Sequence, residues 1–264
     1  MPSLIHSTSM SQAGAVFDLV ERSVVVTGAT SGIGEVVALG LAQMGMNVMA
    51  VGRRSAELDR VAALAREAGS TLLTASADVT DEAEIGAVMD RAVTEFGALY
   101  GVVANAGIAV IEPAISVSAA DFRSVVDTNL NGAFLTARSG ARRMIEHKLG
   151  AIVFTSSSFA RRGFTDWSSY NASKAAVSML AETLACEWAK DGVRVNAIAP
   201  TATLTAVNAA LFADESFSAG VVAGIPGGRI LQAAELILPV AFLLSPHNQM
   251  LIGQTLFVDG GQAL

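Results

Sequence analysis

Hydrophobic positions along this chain fall into short β-branched runs that alternate with segments of helical period. The runs "SVVVTG" (23–28) and "NVMAVG" (47–52) are typical of buried strands. After each run, in 34–45 and 55–69, apolar residues recur every three or four positions, as on amphipathic helices. The alternation predicts an α/β fold with a parallel sheet and helices on both faces. Further strands are predicted at 71–79, 99–107, 150–158, 193–200 and 255–261, and further helices at 81–97, 119–146 and 168–190.

No change of composition and no linker divides the 264 residues, so the pattern predicts a single domain over residues 17–264. Residues 1–16 precede the first periodic segment and are expected to be a flexible N-terminal segment. The stretch 201–232 is the longest without a clear period. Because long loops in compact domains often bind ligands, we expect it to be a substrate loop. The alternative is a helical excursion packed on the surface.

Composition and charge exclude several classes of protein. The longest strictly apolar run, 236–244, has nine residues and contains Pro239, whereas a membrane-spanning helix needs about 20. The net charge is −7 and the basic residues are scattered, which argues against nucleic-acid binding. The N-terminus lacks a basic region followed by an apolar run, so a cytoplasmic location is expected. The single cysteine, Cys186, is expected to be a small core residue, and no metal site is expected.

Apolar residues make up 52% of the chain and charged residues 16%. So little charge favours a surface that is covered by other subunits. The outward faces of the helices near 119–146 and 168–190 carry many apolar side chains, including Val125, Phe134, Met179 and Trp188, and we expect some of these faces to be buried between subunits.

The segment "TGATSGIG" (27–34) joins the first strand to the first helix. Glycines there allow a tight turn and a close approach of the backbone to a diphosphate, and the helix N-terminus offers unpaired N–H groups. The alternative is a purely structural turn. In this context the loop predicts a dinucleotide site, with contacts from Gly28, Thr30, Ser31, Gly32, Ile33 and Gly34.

The end of the second strand indicates which dinucleotide is preferred. An acid there would bind the ribose 2′-hydroxyl and repel a 2′-phosphate. This chain has "VGRR" (51–54) instead, and the guanidinium of Arg53 suits a phosphate. NADP(H) is therefore favoured, with NAD(H) as the alternative cofactor. The alternative is that Arg53 and Arg54 are solvent-exposed residues at the start of a helix and bind no phosphate.

In "YNASKAAV" (170–177), Tyr170 and Lys174 are one helical turn apart with small residues between them. An ammonium beside a phenol favours the phenolate, and so makes tyrosine a better proton donor and acceptor near neutral pH. The alternative is a chance pair on an amphipathic helix.

Four segments together resemble the short-chain dehydrogenase/reductase family: "TGATSGIG", "ANAG" (104–107), "TNLNGAF" (128–134) and "YNASK" (170–174). The resemblance covers about residues 17–261. It implies a Rossmann-type doubly wound parallel sheet in a single domain. It also implies an oxidoreductase that interconverts a secondary alcohol and a ketone with NAD(P)(H), and a homotetramer or a dimer.

The resemblance also implies roles for individual residues. The catalytic set is Asn129, Ser157, Tyr170 and Lys174, where Ser157 is chosen by its spacing of thirteen positions before the tyrosine. Asn129 would hold a water that links Lys174 to solvent. The expected cofactor contacts beyond the glycine loop are Arg53, Arg54, Asp78, Val79, Asn105, Ala106, Gly107, Tyr170, Lys174, Pro200, Thr203 and Thr205.

Three positions depart from the family's pattern. Ala104 stands where the first of two asparagines is usual, and Thr201 follows Pro200 where glycine is usual. Ser31 stands where many members that prefer NADP have a basic residue, which weakens the support for that cofactor.

The substrate is expected to be a small molecule. Residues between Ser157 and Tyr170 must border its pocket, and Arg161 or Arg162 could meet a carboxylate. "FDL", "GRR" and "GQTLFVDGG" are weakly similar to the family's sugar-acid dehydrogenases, such as gluconate 5-dehydrogenase. This predicts a sugar acid or another small polar hydroxy compound. The alternative substrate is a 3-oxoacyl thioester. The alternative functions are a non-catalytic dinucleotide-binding regulatory protein and a structural subunit.

Overall fold

A parallel sheet of seven strands forms the centre of the protein, as the computed structural model shows for residues 7–206 and 208–264. The strands are β1 (Ser23–Thr27), β2 (Asn47–Gly52), β3 (Leu73–Ser76), β4 (Gly101–Ala104), β5 (Gly150–Thr155), β6 (Val193–Pro200) and β9 (Thr255–Val258). Their order in the sheet is β3-β2-β1-β4-β5-β6-β9, with register pairs such as Val24↔Val48 and Val24↔Gly101. The predicted doubly wound α/β fold is confirmed.

Helices cover both faces of the sheet, and alternate strand residues serve the two layers. Val24 and Val26 of β1 point into one hydrophobic core, and Val25 points into the other. The helices are α1 (Ser7–Val16), α2 (Gly32–Gln43), α3 (Ser55–Glu67), α4 (Glu82–Phe96), α5 (Ala119–Val126), α6 (Gly132–Ile145), α7 (Ser168–Trp188), α8 (Ala209–Phe212), α9 (Glu215–Ala223) and α10 (Ile237–Leu244). No helix in this described part of the chain is long and apolar enough to cross a membrane.

Two predicted segments have a different local structure. Residues 119–146, predicted as one helix, are interrupted by a π-helical turn at Asp127–Asn131 that separates α5 from α6. The segment 201–232 contains α8, α9 and the short parallel pair β7 (Thr203–Leu204) and β8 (Leu231–Gln232). It therefore matches the alternative of a helical excursion more closely than an irregular loop.

Part of the predicted flexible N-terminal segment lies within the described residues. Residues 7–16 form α1, and Met10 of this helix is buried in the core with residues of α2. The remainder of the predicted flexible segment, residues 1–6, lies outside the described residues.

Two predictions about single side chains on helices are wrong. Cys186 is exposed rather than in the core, because the face of α7 that packs on the sheet carries Ala181, Leu184 and Ala185. Val125 is fully buried within the chain and cannot face a neighbouring subunit. Phe134 and Trp188 pack partly against the core, whereas Met179 is 59% exposed.

Candidate active site

The carboxyl ends of the parallel strands bring the predicted motifs to one edge of the sheet. Chain order reverses between β1 and β4, and ligands of open α/β sheets bind in the crevice at such a point. The glycine loop follows β1, Asn105–Gly107 follow β4, Ser157 follows β5, and Pro200, Thr203 and Thr205 lie at or after the end of β6. Arg53 and Arg54 follow β2, and Asp78 and Val79 follow β3 on the same edge.

The glycine loop has the close packing that a dinucleotide site needs. Gly28 has φ +68°, and a Cβ there would lie 2.8 Å from the Cα of Ala106. A Cβ on Gly34 would lie 2.3 Å from the carbonyl oxygen of Gly28. Ser31, the N-cap of α2, makes no side-chain capping bond, so the first N–H groups of α2 remain free for an anion. The loop therefore fits a bound diphosphate.

Asn105 fastens this loop to the end of β4. Its side-chain amide donates to the carbonyl oxygen of Thr27 at 3.1 Å, and the Thr27 hydroxyl accepts from the backbone N–H of Asn105 (3.1 Å) and Ala106 (3.3 Å). Thr27 was not among the predicted site residues. The sequence feature that could have identified Thr27 is its hydroxyl at the end of an otherwise apolar strand.

The two arginines after β2 have different partners. The Arg53 guanidinium lies 3.5 Å from the Asp78 carboxylate, and its side chain is 67% exposed. Arg54 donates to the hydroxyl oxygens of Thr30 (3.1 Å) and Ser31 (3.4 Å) in the glycine loop. The pKa of Asp78 is lowered, first by the backbone N–H of Thr80 and, less strongly, by Arg53. Both guanidinium groups thus border the place where β2 and β3 end.

Three consecutive serines after β5 have three separate partners. Ser156 donates to the carbonyl oxygen of Lys174 at 3.0 Å, and Ser158 donates to the side-chain oxygen of Gln262 at 2.7 Å. Ser157 accepts from the N–H of Phe159 at 3.2 Å and interacts with the Tyr170 phenol. The structure therefore places the hydroxyl chosen by spacing beside the tyrosine.

Tyr170 and Lys174 lie on the same face of α7, and burial shifts the pKa of both side chains. Lys174 is 4% exposed, and its Nζ donates to the Thr155 carbonyl oxygen at 2.7 Å and lies 5.6 Å from the Tyr170 ring centroid. Burial lowers the pKa of Lys174 to about 8. Burial raises the pKa of Tyr170, and the smaller effect of Ser157 lowers it. In the protein alone, the pKa of Tyr170 is therefore raised, which is the opposite of the direction expected from a neighbouring ammonium.

Asn129 lies in the π-helical turn and is 1% exposed. Its Nδ2 donates to the Ile108 carbonyl oxygen (2.9 Å) and the Ser173 hydroxyl (3.0 Å), and its Oδ1 accepts from Ile108 N–H (2.8 Å). A Cβ on Gly107 would lie 3.2 Å from Oδ1 and 3.5 Å from the Nζ of Lys174. Asn129 therefore joins the loop after β4 to α7, close to the lysine.

Asn208 organises the backbone after β6, and sequence reasoning missed it. Its side-chain oxygen accepts from the N–H (2.8 Å) and hydroxyl (3.1 Å) of Thr205, and its Nδ2 donates to the Thr203 carbonyl oxygen at 2.9 Å. These bonds tie Asn208 to Thr203 and Thr205, and Thr205 lies near the glycine loop. Thr205 Cγ2 would lie 3.7 Å from a Cβ on Gly32.

Aromatic rings surround the tyrosine. The Trp167 ring lies 5.3 Å from that of Tyr170, and the Phe159 ring lies 6.2 Å from it, both edge-on. Phe164 stacks on Phe159 with centroids 3.8 Å apart. The exposed Arg161 lies over the Phe257 ring, and the exposed Arg162 lies over the Phe164 ring. We call Phe159, Phe164 and Trp167 the aromatic wall.

Known proteins resemble this chain over nearly its whole length. The model of the short chain dehydrogenase family matches residues 22–216. Cis-4-hydroxycyclohexanecarboxylate dehydrogenase of Sinomonas cyclohexanicum is 41% identical, with 91% of this chain and 96% of that protein covered. 3beta-Hydroxysteroid dehydrogenase 1 of Eggerthella lenta is 39% identical, with 94% and 95% covered.

A gluconate 5-dehydrogenase from Burkholderia cenocepacia, solved in complex with NADP and tartrate, has a TM-score of 0.88 at 33% identity, with 95% of this chain and 98% of that one covered. These relatives confirm the predicted class of an NAD(P)-dependent oxidoreductase acting on CH–OH groups. The chain belongs to the short-chain dehydrogenase/reductase family.

Proposed function

We propose that the protein interconverts a secondary alcohol and a ketone, that Tyr170 is its general acid and base, and that it prefers NADP(H). The observation that carries this proposal is the convergence of Ser157, Tyr170 and the buried Nζ of Lys174 at the edge that bears the glycine loop. A regulatory protein without turnover has no need of this set, so its presence supports catalysis.

Each residue of the set has a separate task. When bound, NADP(H) supplies or accepts the hydride. In reduction Tyr170 donates a proton to the carbonyl oxygen, and in oxidation it takes the proton back from the alcohol. Ser157 donates a hydrogen bond to the same oxygen, where charge develops in the transition state. Lys174 binds the nicotinamide ribose, and Asn129 keeps the loop after β4 against α7.

The preference for NADP(H) is supported by the two guanidinium groups. Arg53 is exposed and lies beside Asp78, and Arg54 adjoins the glycine loop. No carboxylate occupies the end of β2, where residue 52 is glycine. The Burkholderia relative was solved with NADP. NAD(H) is the alternative cofactor.

Arg53→Ala is expected to weaken NADPH binding by roughly 1.5–3 kcal/mol, the scale of a hydrogen bond to a charged group, and to leave NADH almost unchanged. Titration of protein fluorescence with each cofactor measures both affinities. Arg54→Ala tests the second guanidinium, and Arg66→Ala, at the exposed end of α3, is the matched control. Equal losses for NADPH and NADH would contradict the preference.

The aromatic wall supports a substrate with a compact apolar ring. Phe159, Phe164 and Trp167 are only partly buried beside Tyr170, and such surfaces contribute most when they contact apolar groups. Arg161 and Arg162 stand at its rim and suit a carboxylate at the far end of the ring. The Sinomonas relative is named for a cyclic hydroxy acid of this shape. We propose a cyclic oxo acid as the ketone.

The sugar-acid prediction has its own support in the Burkholderia structure, whose tartrate is a small polar hydroxy acid. The thioester alternative has less support, because a net charge of −7 disfavours docking of an acidic carrier protein.

A panel of ketones distinguishes these substrates, with loss of NADPH absorbance as the signal. It compares 4-oxocyclohexanecarboxylate, cyclohexanone, 5-ketogluconate and a 3-oxoacyl thioester. We expect the ring acid to have the highest kcat/KM, with cyclohexanone showing what the ring contributes without the carboxylate. Trp167→Ala should lower kcat/KM for the two rings about tenfold. A higher kcat/KM for 5-ketogluconate would favour the sugar acid instead.

We further propose a homotetramer, with a dimer as the alternative, in the cytoplasm. Met179 is 59% exposed on the outer face of α7, where Cys186 is also exposed, and a subunit contact would cover this face. Light scattering at micromolar concentration is expected to give the mass of four chains, and Met179→Glu should lower it. A monomeric mass for the unmodified protein would contradict the proposal.

A further inference from the structure

We propose that Gln262 is a positioning residue for catalysis, an inference that rests on the proposed role of Ser157. Its side-chain oxygen accepts from the hydroxyls of Ser158 and Thr201, each at 2.7 Å. The three side chains are buried, with Ser158 fully so. One amide therefore joins the turn that carries Ser157 to the segment after β6, although Ser158 and Gln262 are 104 positions apart in the chain.

The two joined segments serve opposite sides of the proposed reaction. Ser158 begins the turn in which the N–H of Phe159 donates to Ser157 Oγ at 3.2 Å, so anchoring Ser158 helps to fix the hydroxyl beside Tyr170. Thr201 precedes Thr203, whose hydroxyl donates to the Thr201 carbonyl oxygen at 2.7 Å. The Gln262 amide therefore helps to hold both the Ser157 hydroxyl, on the substrate side, and Thr203, an expected cofactor contact.

This bond also accounts for a departure from the family's pattern. Thr201 stands where glycine is usual, and its hydroxyl has a buried partner within the same chain. The Thr201 side chain, which a glycine would lack, thus takes part in a buried hydrogen bond with Gln262.

The turn that carries Gln262 does not depend on the Gln262 amide. The Asp259 carboxylate accepts from the N–H of Gly261 (2.9 Å) and of Ala263 (2.8 Å), and its carbonyl oxygen accepts from the N–H of Gln262 (3.1 Å). A change confined to the Gln262 side chain should therefore leave the turn folded. It would release Ser158 and Thr201, and small misplacements of reacting groups are costly to rate.

The test compares Gln262→Met, which keeps the volume but has no oxygen acceptor, with Gln262→Glu, which keeps an acceptor. Gln254→Met, at an exposed glutamine, is the matched control. For the ketone that the unmodified protein reduces fastest, we expect Gln262→Met to lower kcat about tenfold or more and to weaken NADPH binding by a smaller factor, because the glycine loop is not touched. Gln262→Glu should recover much of the loss, and Gln254→Met should change nothing.

The primary isotope effect from deuterated NADPH should rise in Gln262→Met, since a misplaced Ser157 slows the hydride step. Thr201→Val and Ser158→Ala each remove one donor, and they provide the same test if Gln262→Met does not fold. An unchanged kcat in Gln262→Met, or equal losses in Gln262→Met and Gln262→Glu, would overturn the inference. If Tyr170→Phe abolishes turnover while these variants do not, only the role of Gln262 fails and the proposed function stands.

Discussion

Replacing Tyr170 by phenylalanine is expected to lower turnover in both directions by at least ~10²-fold, the low end of what positioned acid–base catalysis contributes. The ring keeps its edge-on contacts with Trp167 and Phe159, so folding and NADPH binding should be unchanged. What is lost is the one hydroxyl that is proposed to exchange a proton with the substrate oxygen. Ser157 remains able to donate a hydrogen bond, but an aliphatic hydroxyl is a much weaker acid than a phenol and should not take over the proton transfer.

The second tyrosine of the chain provides the control. Tyr100 is buried, and its hydroxyl donates to the Leu244 carbonyl oxygen on the far side of the molecule. Tyr100→Phe should cost about 1 kcal/mol of stability through the lost hydrogen bond and leave kcat intact. Steady-state rates, NADPH titration and thermal unfolding separate the two effects. If Tyr170→Phe kept a tenth or more of the rate, the proton would have to come from another group.

Strand positions were predictable because strands buried on both faces leave continuous apolar runs in the sequence. β2 and β6 have the predicted bounds, whereas the ends of β3, β4 and β5 were placed too late, since their last predicted residues turn away into the site. α10 was missed because its apolar residues surround the helix and leave no period to detect. Pro239 is tolerated there because it lies in the first turn.

The interruption at Asp127–Asn131 could not be predicted from period alone. Its apolar spacing remains compatible with a continuous helix, and the bonds of Asn129 to Ile108 and Ser173 come from distant parts of the chain. Sequence resemblance could mark Asn129 as functional, but it could not supply the wider turn in which the residue sits.

In the site, short-range motifs were predicted and long-range partners were not. The glycine loop, Tyr170 and Lys174 are each visible within eight residues of sequence. Which serine faces Tyr170 became clear only from the partners of the other two, Lys174 and Gln262. The aromatic wall had a usable signal, because three rings precede Tyr170 within twelve residues.

Replacing Lys174 by alanine is expected to have two effects. Cofactor binding should weaken, because the nicotinamide ribose loses its proposed partner. The pH profile of alcohol oxidation should also move upward, because oxidation requires Tyr170 as a base and the ammonium near its ring favours the phenolate. Burial in the protein alone raises the pKa of Tyr170, so the loss of a nearby ammonium should move its titration with oxidised cofactor bound further upward.

The pH range in which Lys174→Ala should differ from the unmodified protein follows from the pKa of Lys174. Burial lowers the pKa of Lys174 to about 8, so the ammonium is present below that pH and loses its proton above it. Oxidation rates of the unmodified protein and Lys174→Ala should therefore differ most below about pH 8 and converge on the alkaline side. The measurement is kcat for alcohol oxidation across pH at saturating cofactor, with Lys174→Arg as the variant that keeps the charge. If Lys174→Ala kept substantial activity and its pH profile did not move, a group other than Lys174 would have to tune Tyr170. Weaker cofactor binding could not hide a shift, because the cofactor is saturating.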